Sequence, residues 1–264
     1  MSIHTILDEP RDRTALEDAR RFSGASAALR IRKREPELMD QPGLEESVHL
    51  SALKGLRRIN WISRSGAMAW PAVRQLASDL GVQSLRLLDL ACGGGDVAMS
   101  LACLARRHGV ELHVTGCDLS GLAIDIARAR AAEAGITASF QTLDVLHDPL
   151  PTGHDIISCS LFLHHLDEQQ AIALLRRMRD ACMHMVVVND LVRSRLGYLL
   201  AWAGCRVLTR SHVVHVDGPL SVQAAFTPEE VLRLAEQAGL TGGIVRRRWP
   251  ERLLFTWMRP AHAD

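Results

Sequence analysis

The sequence predicts an α/β fold: a doubly wound sheet of seven strands, mostly parallel, with a C-terminal antiparallel hairpin. The first observation is that five short apolar stretches alternate with helical patterns between residues 85 and 190. Parallel strands require crossover connections of this kind. The second observation is that two later apolar stretches, 243–249 and 252–259, are joined by a very short segment. Such a short connection favours an antiparallel pair.

The five parallel strands and the helices between them follow from apolar runs and capping signals. Helices are predicted over 96–108 and 121–134, and Asp167 and Thr227 begin capping boxes for two later helices. The strands are LRLLDLA at 85–91, ELHVTGCD at 111–118, ASFQTLD at 138–144, HDIISCS at 154–160 and HMVVVND at 184–190.

The rest of the chain predicts two helical additions to the sheet. Residues 1–84 are interpreted as an N-terminal helical extension or lid, and residues 85–264 as the sheet domain with a cap insertion at about 193–222. The second half of the insertion, RSHVVHVDGPLS, is interpreted as a polar loop or, from its alternation, as an edge strand. Several apolar side chains of these additions are expected to form a pocket wall, with core packing as the alternative: Trp61, Trp70, Leu199, Leu200, Trp202 and Leu208.

The composition is that of an ordinary globular protein. Of 264 residues, 47% are hydrophobic, and a net charge of +1 gives no reason to expect nucleic acid binding. The basic clusters at 30–34 and 246–248 are interpreted as solvated faces. No signal peptide or membrane-spanning segment is evident, so a cytoplasmic protein is expected. The sequence does not decide the oligomeric state. The six cysteines contain no CxxC pair, which predicts reduced, mostly buried thiols and no metal site.

Acidic residues close the first three predicted strands. Asp89 ends the first and is followed by three glycines, Asp118 ends the second, and Asp144 ends the third. In a doubly wound sheet, ligands bind at the carboxyl ends of the strands, where the strand order reverses. Three acids around a glycine turn favour a ligand with hydroxyl and amine donors, such as an adenosine cofactor.

Two adenosine cofactors fit this pattern. The dinucleotide fingerprint fits Gly93, Gly95 and Ala98, with Asp118 as the ribose acid, so an NAD(P)-dependent oxidoreductase is one alternative. However, Asp89 and Asp96 flank the turn, and two carboxylates would repel a pyrophosphate at that helix N-terminus. A cofactor with an ammonium group and a sulfonium would be attracted by the same acids.

The motifs LLDLACGGGDVA, VTGCDLS and FQTLDVL, at 87–98, 114–120 and 140–146, resemble the successive motifs of class I methyltransferases that use S-adenosylmethionine. The SLFLHHL stretch at 160–166 resembles the small-molecule branch that contains ubiquinone and menaquinone biosynthesis methyltransferases. The resemblance implies a Rossmann-like methyltransferase fold. Ala91 replaces the first glycine of the family's turn, and we expect binding to survive if Ala91 keeps a negative φ.

The resemblance also implies a set of cofactor contacts. Asp89 would engage the ammonium of the methionine end, Asp118 both ribose hydroxyls, and Asp144 the exocyclic amine of adenine. The glycine turn would let the backbone approach the cofactor, and a serine would line the floor near the sulfonium. The complete set is Asp89, Ala91, Gly93, Gly95, Asp118, Leu119, Asp144, Val145 and Ser160.

The expected reaction is methyl transfer to a small apolar or aromatic acceptor, most simply to the oxygen of a phenolic, polyketide-like or quinone-type compound. C- or N-methylation and a non-catalytic domain are the alternatives. A phenol has a pKa of about 10 and benefits from a base, for which histidine is suited. The candidate bases are His164 and His165 after the fourth strand, and His215, which Asp217 would orient.

Overall fold

The computed structural model describes residues 29–40 and 43–260. The first 28 residues of the predicted N-terminal extension, and residues 41–42 and 261–264, lie outside the described residues. Seven strands form one sheet in the order β3-β2-β1-β4-β5-β7-β6. They are β1 Ser84–Leu90, β2 Glu111–Asp118, β3 Ala138–Thr142, β4 His154–Ser160, β5 Cys182–Leu191, β6 Ile244–Arg248 and β7 Arg252–Met258.

The pairing confirms the predicted doubly wound sheet with its hairpin. All pairs from β3 through β5 are parallel, and β7 is antiparallel to both β5 and β6. From β1 the chain builds outward to β2 and β3, and then crosses back to place β4 on the other side of β1. The strand order therefore reverses between β1 and β4, which is where such sheets bind ligands.

Nine α-helices lie within residues 43–260, and none in the described part of the chain is long and apolar enough to cross a membrane. Both predicted capping boxes are present, at Asp167 with Gln170 and at Thr227 with Glu230. The helices are α1 Glu46–Ile62, α2 Ser65–Met68, α3 Trp70–Leu80, α4 Asp96–Arg107, α5 Gly121–Ala134, α6 Glu168–Ala181, α7 Arg195–Leu208, α8 His212–Ala224 and α9 Pro228–Gln237.

Strand β3 ends at Thr142, two residues earlier than predicted. Leu143 still donates its backbone N–H to the carbonyl of Asp118 at 3.0 Å. Beyond it, the Asp144 carboxylate accepts the backbone N–H of Leu146 at 2.9 Å and closes a turn. This local hydrogen bond competes with the ladder, so Asp144 lies past the strand and not at its end.

Each face of the sheet has its own hydrophobic core. On one face, α6 and α9 pack on β4, β5 and β7, with Leu175, Leu234 and Phe255 fully buried. On the other face, α3 and α4 pack on β1, β2 and the middle of β5, with Val73 and Leu87 fully buried. Burial on both faces explains why the central strands are continuous apolar runs.

Two tryptophans predicted to wall a pocket lie elsewhere, so that prediction is wrong for both. Trp70 is the first residue of α3, is 8% exposed and packs into the core between that helix and the sheet. Its ring stacks on His108, with 5.2 Å between the ring centroids. Trp61 is 79% exposed near the end of α1. Helical spacing shows that a helix has an apolar face but does not show what that face meets.

A separate, smaller core joins the N-terminal helix to the insertion. Ala52 of α1 packs with Cys205 of α7 and with Val213 and Val214 of α8. We call the assembly of α1, α7 and α8 the cap. The prediction of a loop or edge strand at 210–221 is wrong, because this segment forms most of α8. Its buried residues recur at helical spacing, whereas the short HVVHV run is compatible with either period.

Gly55→Ala should loosen the cap. A Cβ on Gly55 would lie 2.6 Å from Thr209 Oγ1, and that hydroxyl is held by the backbone N–H of Ser211. We expect a loss of about 1–2 kcal/mol in the free energy of unfolding, because overpacking exceeds the helix-propensity gain. Gly204→Ala in α7 is the matched control, because nothing lies within 4 Å of its Cβ, and it should be neutral or stabilising. Urea unfolding measures both, and equal effects would contradict the packing described.

Candidate functional site

The glycine turn after β1 is built from three residues with positive φ. Ala91 has φ 51°, Gly93 52° and Gly95 74°. The condition set for Ala91, a negative φ, is therefore not met: the turn needs a left-handed residue immediately after the strand. An alanine in this region costs roughly 1–2 kcal/mol. A Cβ on Gly93 would meet nothing within 4 Å, so the turn is open to a ligand on that side.

A second strained residue lies at the end of the neighbouring strand. Leu161 follows β4 and has φ 58°, and its N–H donates to the Asn189 carbonyl at 2.8 Å. A branched side chain in the left-handed region is uncommon, and such residues concentrate at functional sites. Ala91 and Leu161 flank the point where the strand order reverses. Backbone strain thus identifies the same edge of the sheet as the sequence motifs.

The Asp118 carboxylate ties β2 to the glycine turn. One oxygen accepts the Gly93 N–H at 2.7 Å and the other accepts the Ser120 N–H at 2.9 Å. A carboxylate has about four acceptor sites, so two stay available for ribose hydroxyls. Leu119, beside it, is 71% exposed.

Asp89 is buried beneath the turn. It is 2% exposed and accepts the Ser158 hydroxyl at 2.5 Å. Burial raises its pKa to about 7, the Ser158 hydrogen bond opposes this, and the charge of Asp118 adds to it. A buried carboxylate of this kind fits a cationic group such as the ammonium of S-adenosylmethionine, which would favour its ionised form.

Asp96 does not contribute a free charge at the turn. It pairs with Arg130 of α5 at 2.7 Å, and Arg130 also donates to the Gly94 carbonyl. Arg130 therefore neutralises the charge of Asp96, and the expectation that Asp96 would repel a pyrophosphate is wrong. The electrostatic preference of this edge rests on Asp89 and Asp118.

The proposed adenine residues follow β3 in a turn. Asp144 accepts the Leu146 N–H and the His147 Nδ1 at 2.8 Å, and the His147 hydrogen bond, then the Leu146 N–H, lowers its pKa. Val145 is 5% exposed in the main core. Ser160, at the end of β4, is half-buried opposite Asn189 in the parallel register.

His164 and Asp190 form a buried pair at the ends of β4 and β5. The His164 ring is 3% exposed, its Nδ1 lies 2.6 Å from Asp190 Oδ1, and its backbone N–H donates to Asp190 Oδ2 at 3.0 Å. Burial raises the pKa of Asp190, but the charge and hydrogen bond of His164, with two backbone N–H donors, leave it below its ordinary value. When the His164 ring carries a single proton, the ionised Asp190 holds that proton on Nδ1, so Nε2 is the atom that can accept another.

Residues 29–40, which we call the strap, cross this pair. Arg32 donates to the carbonyls of Ala224, His164 and Leu166, and its guanidinium lies 3.6 Å from the centre of the Phe226 ring. Arg34 donates to the His165 carbonyl at 2.9 Å. The interpretation of this basic cluster as a solvated face is wrong for Arg32, because the carbonyls around the His164 turn offer a guanidinium several acceptors.

Glu37 brings the strap's carboxylate to both histidines. Its Oε1 lies 3.9 Å from His164 Nε2, and its Oε2 lies 4.0 Å from His165 Nε2. One ligand atom from each of the three residues lies within 4.8 Å of the others, a spacing that a single metal ion could bridge. The strap is anchored by Asp217 of α8, whose carboxylate accepts the N–H groups of Leu38 and Met39.

His215 has a different partner from the one predicted. Its Nε2 lies 2.8 Å from the carbonyl of Thr209, and it is half-buried in α8. The expected orientation by Asp217 is wrong, since that carboxylate holds the strap. Arg193 is 8% exposed and binds Glu230 through two hydrogen bonds of 2.7 and 2.9 Å.

The sequence did not indicate Glu37. It lies 127 residues from His164, in a segment whose charges suggest only solvation, and no spacing connects the two. Asp190 was recognisable as a strand-end residue, but its contact with His164 depends on the β4–β5 register.

The chain is similar in sequence to known methyltransferases. Residues 87–184 match the family model described as a methyltransferase domain. The chain is 30% identical over 166 residues to the ubiquinone biosynthesis O-methyltransferase of Aeromonas salmonicida strain A449, covering 61% of this chain and 64% of that one. With the ubiquinone biosynthesis O-methyltransferase of Xylella fastidiosa strain 9a5c it shares 32% identity over 183 residues, covering 65% and 68%.

A solved structure shares the fold. It is an O-methyltransferase (NcsB1) from neocarzinostatin biosynthesis in complex with S-adenosyl-L-homocysteine and 1,4-dihydroxy-2-naphthoic acid. The TM-score is 0.54 at 20% sequence identity, over 80% of this chain and 57% of that one.

The sheet order and the strained edge between β1 and β4 define a doubly wound α/β protein, a class in which ligands bind where the strand order reverses. The chain belongs to the class I S-adenosylmethionine-dependent methyltransferases. It spans just under two thirds of the length of the first two curated relatives that it matches, 64% and 62%. The family's cofactor is S-adenosylmethionine, and the oxidoreductase alternative is not supported.

Asp89 should make the stability of the cofactor-free protein depend on pH. Its folded-state pKa of about 7 lies above the ordinary 3.8, so within this window the folded chain holds a proton that the unfolded chain has released. The free energy of unfolding should therefore fall as the pH rises from 3.8 to about 7. Asp89→Asn cannot ionise and should have a shallower fall. Urea unfolding between pH 5 and 8 compares the two, and parallel profiles would show that Asp89 is not perturbed.

Proposed function

We propose that this protein transfers the methyl group of S-adenosylmethionine to a hydroxyl oxygen of a small phenolic, polyketide-like or quinone-type acceptor. The observation that carries the proposal is the buried His164–Asp190 pair beside the glycine turn. The relatives in ubiquinone biosynthesis and the dihydroxynaphthoic acid in the solved structure support an aromatic hydroxyl acceptor. Methylation at carbon or nitrogen is the alternative.

The cofactor is proposed to lie along the edge from β1 to β3. Asp89 provides a buried carboxylate for the ammonium group, Asp118 retains acceptor sites for the ribose, and Gly93 leaves the backbone open. Asp144 and Val145 border the adenine in this arrangement, and Ser160 lies toward the sulfonium. When bound, S-adenosylmethionine supplies a methyl group that is already activated for displacement by a nucleophile.

The protein's own residues would then position and deprotonate the acceptor. Alignment of the acceptor oxygen with the methyl carbon and exclusion of water contribute much of the acceleration. His164 Nε2 accepts the hydroxyl proton, and Asp190 stabilises the resulting imidazolium through Nδ1. The strap and the cap cover this edge and limit access of water.

A metal ion at Glu37, His164 and His165 is a second candidate for activating the acceptor hydroxyl. The convergence of these three residues favours it, since a bound cation would lower the pKa of a coordinated hydroxyl. In that case His164 Nε2 would bind the ion and could not accept a proton. The two candidates therefore differ in their response to a chelator.

His164→Ala should slow methylation of ordinary phenols far more than methylation of acidic ones. With catechol, loss of a base should lower kcat by about 10²-fold or more. With 4-nitrocatechol, which is already ionised at mildly alkaline pH, the loss should be small because no proton has to be removed. Steady-state assays with S-adenosylmethionine measure both, and His113→Ala, a half-exposed histidine of β2, is the control.

Three outcomes separate the alternatives. Equal losses for both acceptors would show that His164 only positions the substrate. The predicted pattern in His215→Ala, and not in His164→Ala, would assign the base to His215. Loss of wild-type activity after chelation, with recovery on adding a divalent metal, would favour the cation at the Glu37 cluster.

A further inference from the structure

Arg252, at the start of β7, is buried with an unpaired donor. The residue is 4% exposed, and its Nη1 has no hydrogen-bond partner. Within residues 29–40 and 43–260, no acidic side chain lies within 4.0 Å of its guanidinium nitrogens. A buried charge without a direct partner is costly, and functional sites are where such groups are retained.

The Arg252 side chain lies on the sheet face covered by the cap. In the antiparallel register Asn189 is opposite Leu254, and Leu191 is opposite Arg252. Directly paired residues share a face, as do residues two apart on one strand, so Arg252 and Asn189 project from the same face. Cys205 of α7 and Arg252 each perturb the pKa of the other, so this helix lies near the guanidinium.

Asn189 has an unpaired atom of the opposite kind. It is 2% exposed, and its Oδ1 has no hydrogen-bond partner in the described part of the chain, although its Nδ2 donates to the Ser65 carbonyl at 3.4 Å. A charged donor and a neutral acceptor therefore lie unpaired on the same face of neighbouring strands, whereas Asp190, the next residue of β5, projects from the opposite face at the same edge of the sheet. A ligand that brings a carboxylate to Arg252 and a hydroxyl to Asn189 would satisfy both.

We propose that Arg252 binds the carboxylate of the acceptor, so that the substrate class is aromatic hydroxy acids. This rests on the proposed function, because it places an acceptor between the sheet edge and the cap. A planar guanidinium binds a carboxylate through two parallel hydrogen bonds and so fixes orientation as well as affinity. Burial lowers the pKa of Arg252 to about 10, with the charge of Asp190 opposing, so the guanidinium stays charged at neutral pH.

The geometry explains why the charge serves the acceptor and not Asp190. The two oxygens of Asp190 already accept the His164 Nδ1, the His164 N–H and the Leu191 N–H. Arg252 adds only a longer-range attraction to this carboxylate. Its hydrogen-bonding capacity is therefore free for a ligand anion that enters beside the His164–Asp190 pair.

The test compares two acceptors that differ by a carboxylate, 3,4-dihydroxybenzoate and catechol. The wild type should prefer the acid by at least about 10-fold in kcat/KM, mainly through KM, as expected for a charge-assisted pair. Arg252→Met should abolish this preference by raising KM for the acid, with catechol almost unchanged. Arg252→Lys should retain part of it. Arg247→Met, an exposed arginine of neighbouring β6, is the matched control.

A direct binding measurement keeps the inference independent of turnover. Calorimetry should show that 1,4-dihydroxy-2-naphthoate binds the complex of the wild type with S-adenosylhomocysteine at least 10-fold more tightly than that of Arg252→Met. Both proteins should bind S-adenosylhomocysteine equally, which verifies folding. Binding without methylation of any acceptor would contradict the proposed function alone. Equal affinity, no binding to the wild type, or an unchanged acid preference in Arg252→Met would overturn the role of Arg252.

Discussion

The hydrogen bond between His164 and Asp190 is the constraint on which the rest of the site depends. It joins the ends of two adjacent parallel strands at the edge where the strand order reverses. A buried hydrogen bond to a charged group contributes about 1.5–3 kcal/mol, and loss of either partner would leave the other unsatisfied. The turn that it holds also presents the His164 and Leu166 carbonyls to Arg32, so the strap is attached to the same pair.

The strap and the cap make one connected cover over the sheet. Asp217 of α8 anchors the strap at Leu38 and Met39, and α1 packs on α7 and α8 around Ala52 and Cys205. The cover thus consists of parts of the chain that are distant in sequence. The cover has its own small core, separate from those that lie on the faces of the sheet.

The sequence predicted the sheet well because each strand is marked locally, by an apolar run and a capping or glycine signal. The strand-end acids were also evident, since parallel strands bring their carboxyl ends to one edge. Local patterns could not predict contacts between distant segments, such as Glu37 with His164 or Arg193 with Glu230. The positive φ of Ala91 was not predictable from residue type, because the turn sets the backbone conformation there.

The fold of α8 shows another limit of sequence patterns. Its HVVHV run fits both a strand and a helix, and the burial of Val213, Val214 and Asp217 decides for the helix. The orphaned atoms of Arg252 and Asn189 were equally invisible in the sequence, since a missing partner is a property of the packed structure. The candidate groups that sequence patterns missed are therefore those that depend on contacts, or missing contacts, with distant parts of the chain.

The most direct test of the account is a crystal structure of the protein with S-adenosylhomocysteine and 3,4-dihydroxybenzoate. We predict that the cofactor product binds along the β1–β3 edge. An acceptor hydroxyl should lie within about 2.6–3.2 Å of His164 Nε2 and face the sulfur. A hydroxyl bound beside His215, or an acceptor outside the space between the cap and the sheet edge, would contradict it.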